Sequence, residues 1–282
     1  MSLCLPGRNS VSPRVRERLM MRTLLIGVAI ACGLAVAASA QDMTRYIDLD
    51  SPEMMSAEMT RSELEAVMAG AGGRPADLTG KRLSGLDLAG LDLSHAVLRA
   101  ARLNRTKLAG ARLEGAVLDQ AFLLEADLSH ASLRGASMLA SQMQRARLDG
   151  ADLSGARIAA NLTGASLVGA SLAGANMSAD MKNQSMGLMR TILTSAKLDR
   201  ADARGANLSR ASLEFASLDG TDLSDASLVG ADLGGARLVR VTIAGTDFAD
   251  ADLNSTRLVD PIGLAEAKNL DKAAHRDRLL RE

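Results

Sequence analysis

Aromatic side chains are nearly missing from this 282-residue chain: Phe122, Phe215, Phe248 and Tyr46 are the whole set, and there is no tryptophan. That excludes the thick core of bulky rings that a globular domain of this length uses. Apolar residues still make up 47%, so Leu, Ala, Met and Gly must do the filling, which suits many thin, similar layers. Cysteine is confined to Cys4 and Cys32, near the start, which excludes a disulfide framework further along. Net charge is absent too: 33 basic residues balance 33 acidic ones, which argues against a nucleic-acid binder. No H-E-x-x-H, paired-cysteine cluster, G-x-S-x-G or phosphate loop occurs. The stretch from Gly70 to Pro75 reads as a linker. His95, His130 and His275 are too scattered to share a metal, and no cofactor is expected.

What is present begins with a leader. Arg22 precedes the apolar run from Leu24 to Val36, which ends in Ala38-Ser39-Ala40 before Gln41. A basic start, an apolar centre and small residues at the end describe a secretory signal peptide over residues 1–40, cleaved near Ala40-Gln41, with an uncleaved membrane anchor as the alternative. A start at Met20 or Met21 gives a more ordinary basic region, so residues 1–19 read as an over-extended start. The expected location is periplasmic or secreted, with no stable membrane insertion after cleavage. Cleavage removes five basic residues and one acidic one, leaving 28 basic and 32 acidic. That balance is too mild for an acidic mimic of a polyanion.

From Ala76 to Asp260 the chain falls into fives, for example Ala76-Asp77-Leu78-Thr79-Gly80 and Leu86-Asp87-Leu88-Ala89-Gly90, about 37 units in all. Leucine holds the centre, a small residue stands two places earlier, and glycine often stands two places later. Repeat detection governs the reading. On an α-helix, steps of five scatter the leucines around the axis; on a continuous strand they alternate faces. All can point inward only if the chain turns a corner about once per unit, and Gly, Ser, Asp and Asn supply those corners.

Units such as Ala126-Asp127-Leu128-Ser129 and Ala206-Asn207-Leu208-Ser209 resemble the pentapeptide-repeat family. The resemblance implies an all-β fold, a right-handed quadrilateral β-helix with four units per coil. The central Leu and the small residue point inward and the other three positions point out. It also opens two functional branches: an interaction scaffold, and a gyrase-protecting mimic of duplex DNA. The export signal and near-neutral charge argue against the second. A polysaccharide-processing β-helix enzyme is a further alternative, but no long insertions between units are evident from which to build a groove.

The five-residue phase breaks twice. Ala156-Arg157-Ile158-Ala159 is a four-residue unit, and residues 180–185 read as a six-residue unit. Four and six together restore the original frame, so the two irregularities are expected to compensate. Counting units four to a coil stacks Asp87, Lys107, Asp127 and Arg147 on one face as an ion-pair ladder. A neighbouring face gathers Gln142, Gln144, Arg145, Asn161, Asn183 and Gln184. Two faces carry Val97, Val117, Phe122, Leu124 and Leu139 at nominally outward positions, an apolar contact patch. These eleven residues are the candidate partner-binding set.

Residues 41–75 read as an N-terminal helical cap and linker. Ser51-Pro52 suits a helix start, and Thr60-Arg61-Ser62-Glu63 reads as a capping box. Beyond Pro261, Leu264, Ala267, Leu270, Ala274 and Leu279 stand at mainly helical spacing, so residues 261–282 are expected to form a C-terminal helix. The resemblance adds an option of homodimerisation through that helix. The expected function is a non-catalytic scaffold of the bacterial envelope that binds an unidentified protein partner and no nucleic acid.

Overall fold

The computed structural model describes residues 48, 51–179 and 189–281; the leader, Asn183 and Gln184 lie outside them. Within each unit the corner is a hydrogen-bonded turn. Lys81 N–H donates to the Leu78 carbonyl at 3.1 Å, and Gly80 between them has φ +67°. A turn of this shape demands a left-handed residue at that place, which explains the recurring glycine. Non-glycine corners adopt the same backbone, from +47° at Asp260 to +61° at Arg210, so stacking imposes the corner even where the residue resists it. The second position favours Asp or Asn because its carboxylate or amide oxygen accepts an N–H two residues on, as Asp77 does from Thr79 at 3.0 Å.

Each coil is bonded to the next. Leu78 N–H donates to the Val97 carbonyl at 2.7 Å and Val97 N–H to the Ala76 carbonyl at 2.9 Å. Parallel bridges join residues twenty apart, Asp77 to Val97, Arg82 to Arg102, Asp87 to Lys107 and Asp92 to Arg112. Those four bridges begin the first, second, third and fourth faces. Most units contribute one bridge; longer strands are β1 (Ser137–Gln142) paired with β2 (Arg157–Asn161), and β3 (Arg237–Val239) paired with β4 (Arg257–Val259). The core is the stack of central leucines and small alanines, nearly all fully buried. Threonine replaces alanine without leaving its hydroxyl unsatisfied: Thr106 and Thr221 donate to the Leu83 and Leu198 carbonyls of the coil before.

Two short helices precede the coils, α1 (Pro52–Met55) and α2 (Arg61–Gly70). The Thr60–Glu63 capping box forms, whereas the Ser51 side chain makes no capping bond. Leu64 of α2 is fully buried in the core, and Arg61 donates to the Asp87 and Ala89 carbonyls.

The far end departs from expectation. No α-helix forms over residues 261–281. Three single 3₁₀ turns, at Leu264–Glu266, Leu270–Lys272 and Arg276–Arg278, alternate with bridges from Ile262, Lys268, Ala274 and Leu280 to the preceding coil. Gly263, Asn269 and His275, six residues apart, are left-handed and end each stretch before a helix can propagate. The segment is one more coil, built from sixes.

The mid-chain irregularity also differs. On the first face Arg157 bridges to Asn176, nineteen residues on, as the four-residue unit requires. On the next face Asn161 bridges to Ile192, thirty-one residues on, and Ser166 to Lys197 keeps that offset. The register therefore passes directly from the unit centred on Met177 to the unit centred on Leu193. Residues 180–190 are surplus to it. The coils hold two units fewer than the sequence count, so the phase of five returns as expected while each unit after residue 190 stands two faces from where the count places it. The six-residue unit itself falls outside the described residues.

Candidate interaction edge between the first and second faces

The register gathers most of the candidate residues along one edge. Val97 and Val117 are bridged neighbours on the first face, and Ser137, bridged to Val117, precedes Leu139 by two residues. On the second face Phe122 bridges to Gln142, which pairs with Asn161. The two sets flank the same corner, the one where the four-residue unit falls and where residues 180–190 depart from the register. Beneath Asn161 stands Ile192, the place that the reading of residues 180–185 as one unit reserved for Asn183 and Gln184. Those two are outside the described residues.

Not every candidate is available to a partner. Gln142 is only 3% exposed, because its amide folds back onto the Ala140 carbonyl at 3.3 Å and accepts from the Gln144 amide at 3.0 Å. Leu124 is 8% exposed and sits in the row between Asn104 and Gln144, its N–H held by the Asn104 amide oxygen. The Asn161 amide oxygen is occupied by the Thr163 N–H and hydroxyl. Arg145 is committed to Glu125 at 2.6 Å, and Arg105 grips the same carboxylate at 2.9 Å. Outward position in the repeat is thus not the same as free surface. Gln144, partly exposed, gives an amide N–H to Gln142, and the apolar residues Val97, Val117, Phe122 and Leu139 remain, each partly exposed.

Sequence reasoning missed Thr191. Its buried hydroxyl lies 2.6 Å from the Ile158 carbonyl and 2.7 Å from the Met177 carbonyl. It joins the unit before residues 180–190 to the unit after them. A threonine at a small position one unit after the break in phase was the available signal.

A family model described as pentapeptide repeats (8 copies) matches residues 96–135, 121–158, 158–179, 188–225 and 221–260, more than half of the chain. The chain belongs to the pentapeptide-repeat family. No curated protein matches it. Among solved pentapeptide-repeat proteins, it is similar to HetL, involved in heterocyst differentiation regulation in the cyanobacterium Nostoc sp. strain PCC 7120. Identity there is 29% over 78% of this chain and 98% of that one, with TM-score 0.45. A thylakoid-lumen pentapeptide-repeat protein of Arabidopsis thaliana is 34% identical over 36% of this chain and 65% of that one, with TM-score 0.20. QnrB1, a plasmid-mediated fluoroquinolone resistance protein, is 17% identical over 67% and 84%, with TM-score 0.26. Membership rests on the family model.

Charge on a pentapeptide-repeat face is organised by the stack. The third-face column stacks in the expected order and pairs in twos, Lys107 to Asp87 at 3.5 Å and Arg147 to Asp127 at 3.3 Å, with no ion pair between Lys107 and Asp127 among the described residues. On the fourth face Arg112 pairs with Asp92, and this bond, aided by Ser94, draws the Asp92 carboxyl down to about 2. The hydrogen bonds of Arg105 and then Arg145 lower Glu125, and the Ala89 N–H lowers Asp87. Carboxyls depressed in the fold stabilise it above their unfolded values near 4, and that contribution is lost as pH falls through the folded values. Thermal unfolding is expected to be nearly level from pH 7 to 5 and to shift downward between about pH 4 and 2. A midpoint unchanged from pH 5 to pH 2 would contradict these assignments.

Proposed function

We propose that the chain is a non-catalytic scaffold of the bacterial cell envelope, a right-handed four-sided rod that binds a protein partner along the edge between its first and second faces. The observation that carries this reading is the partly exposed set Val97, Val117, Phe122 and Leu139. They occupy outward positions that elsewhere hold mostly Asp, Arg, Ser or Asn, and apolar side chains gathered at such places favour a protein contact. The envelope location is supported by the leader pattern of residues 1–40. The gyrase-protecting alternative is disfavoured by the alternating signs of the third-face ladder, since a mimic of duplex DNA needs charge of one sign.

Affinity capture from an envelope extract tests the reading, with Val117→Glu and Phe122→Ser compared with wild type and with Arg134→Glu as a control on another face. The partner held by wild type and by Arg134→Glu is expected to be lost from the two edge variants, with melting temperatures unchanged. Equal retention by all four proteins would overturn the proposed edge.

A further inference from the structure

Of the five large apolar side chains most exposed among the described residues, Ile262 (58%), Leu264 (48%) and Leu280 (53%) belong to the last coil. Ile262 bridges to Thr242 on the fourth face, and Leu280 to Arg257 on the third. Ile262 and Leu280 therefore lie beneath neighbouring columns on either side of one corner, and Leu264 follows Ile262 in the first 3₁₀ turn.

The charge above that lip breaks the pattern of the rest of the column. Earlier coils of the third face alternate Asp87, Lys107, Asp127 and Arg147. In β3 and β4, Arg237 and Arg257 are direct register partners, two like charges about 4.8 Å apart along the stack, an arrangement that destabilises a sheet. Arg237 is relieved by Asp219 at 2.7 Å. Arg257 and the corner residue Arg240, both exposed, have no ion pair or side-chain hydrogen bond among the described residues. The outward positions between them hold Val239 and Val259. The acidic groups near this corner are Asp219, engaged by Arg237, Asp260, which follows below Arg240, and Glu266, two residues beyond Leu264.

We propose that this corner of the last coils adsorbs to an anionic lipid surface. Arg240 and Arg257 would meet headgroup phosphates while Ile262, Leu264 and Leu280 enter the interfacial layer. Charge complementarity selects this occupant: unpaired guanidinium groups bordering a convex aliphatic lip match a plane that is anionic at its surface and apolar just beneath it. The contact is separate from the protein-binding edge, which lies on the first and second faces.

Vesicle flotation of the full chain tests it, with phosphatidylglycerol vesicles compared with phosphatidylcholine vesicles. The leader is common to every variant, so differences between variants isolate the corner. Bound fraction on phosphatidylglycerol is expected to fall about tenfold in Arg240→Glu/Arg257→Glu, and several-fold in Ile262→Ser/Leu264→Ser. Arg134→Glu, a single charge reversal on a distant coil, is expected to bind as wild type does. Melting curves establish that each variant folds. Unchanged binding by both corner variants, or an equal loss in Arg134→Glu, overturns the proposal. So does sedimentation showing that the corner variants abolish self-association while vesicle binding persists.

Discussion

Leu128→Ala lowers the free energy of unfolding by about 2–5 kcal/mol, read by chemical denaturation. Leu128 is fully buried, and so are Leu108 and Leu148, which precede and follow it in the third-face stack. Removing its isobutyl group loses the transfer free energy and leaves a void as well. The void cannot collapse easily, because backbone hydrogen bonds at 2.6–2.7 Å fix the spacing of the coils around it. Leu258, in the same stack but next to the last coil and 8% exposed, is expected to cost clearly less when truncated. A Leu128→Ala penalty below about 0.5 kcal/mol would be incompatible with an inward leucine at this position.

The second large effect is local. In Gly263→Ala the new methyl would stand 2.7 Å from the Ala244 Cβ and 2.8 Å from the Ala244 nitrogen, at φ +77°. Backbone cannot yield as a flexible side chain does, so strain of about 1–2 kcal/mol from the left-handed conformation adds to a hard overlap. Gly80→Ala, at φ +67° with open space around it, carries the first contribution alone. Because the last coil has no coil beyond it among the described residues, it is expected to relieve the overlap by detaching. Hydrogen exchange reads this directly. The amides of Lys268, Ala274 and Leu280, which donate to Thr246, Ala251 and Thr256, lose protection, while the Leu128 amide keeps it. Unaltered protection of those three amides would refute the clash.

How far the sequence could be read follows from what a period of five contains. As far as Gly155 the spacing alone places each residue on its face, and the Asp87–Lys107–Asp127–Arg147 ladder follows from counting. Thr60 and Glu63 announce their own capping box. Counting fails after Met177, because Met186-Gly187-Leu188-Met189-Arg190 imitates a unit with Leu188 at its centre. Only the pairing of Asn161 with Ile192 reveals that the register omits it. The C-terminal error has a different origin. Leu264, Ala267 and Leu270 satisfy a helical spacing and a six-residue coil equally well. Gly263, Asn269 and His275, residue types that tolerate left-handed backbone, carried the distinguishing information at intervals of six. At the candidate edge, position predicted which residues face outward but not which are already spoken for. The folding back of Gln142 and the gripping of Glu125 by Arg105 and Arg145 depend on neighbours one coil away.

The closure at Thr191 bears on what holds the two halves together. Among the described residues the coils across that corner are aligned by ladder hydrogen bonds and by one hydroxyl shared between two carbonyls, all of them outside residues 180–190. A molecule nicked between Ala179 and Thr191 would persist as two fragments joined non-covalently, and a foreign sequence spliced in at the same point would leave the stacking order intact.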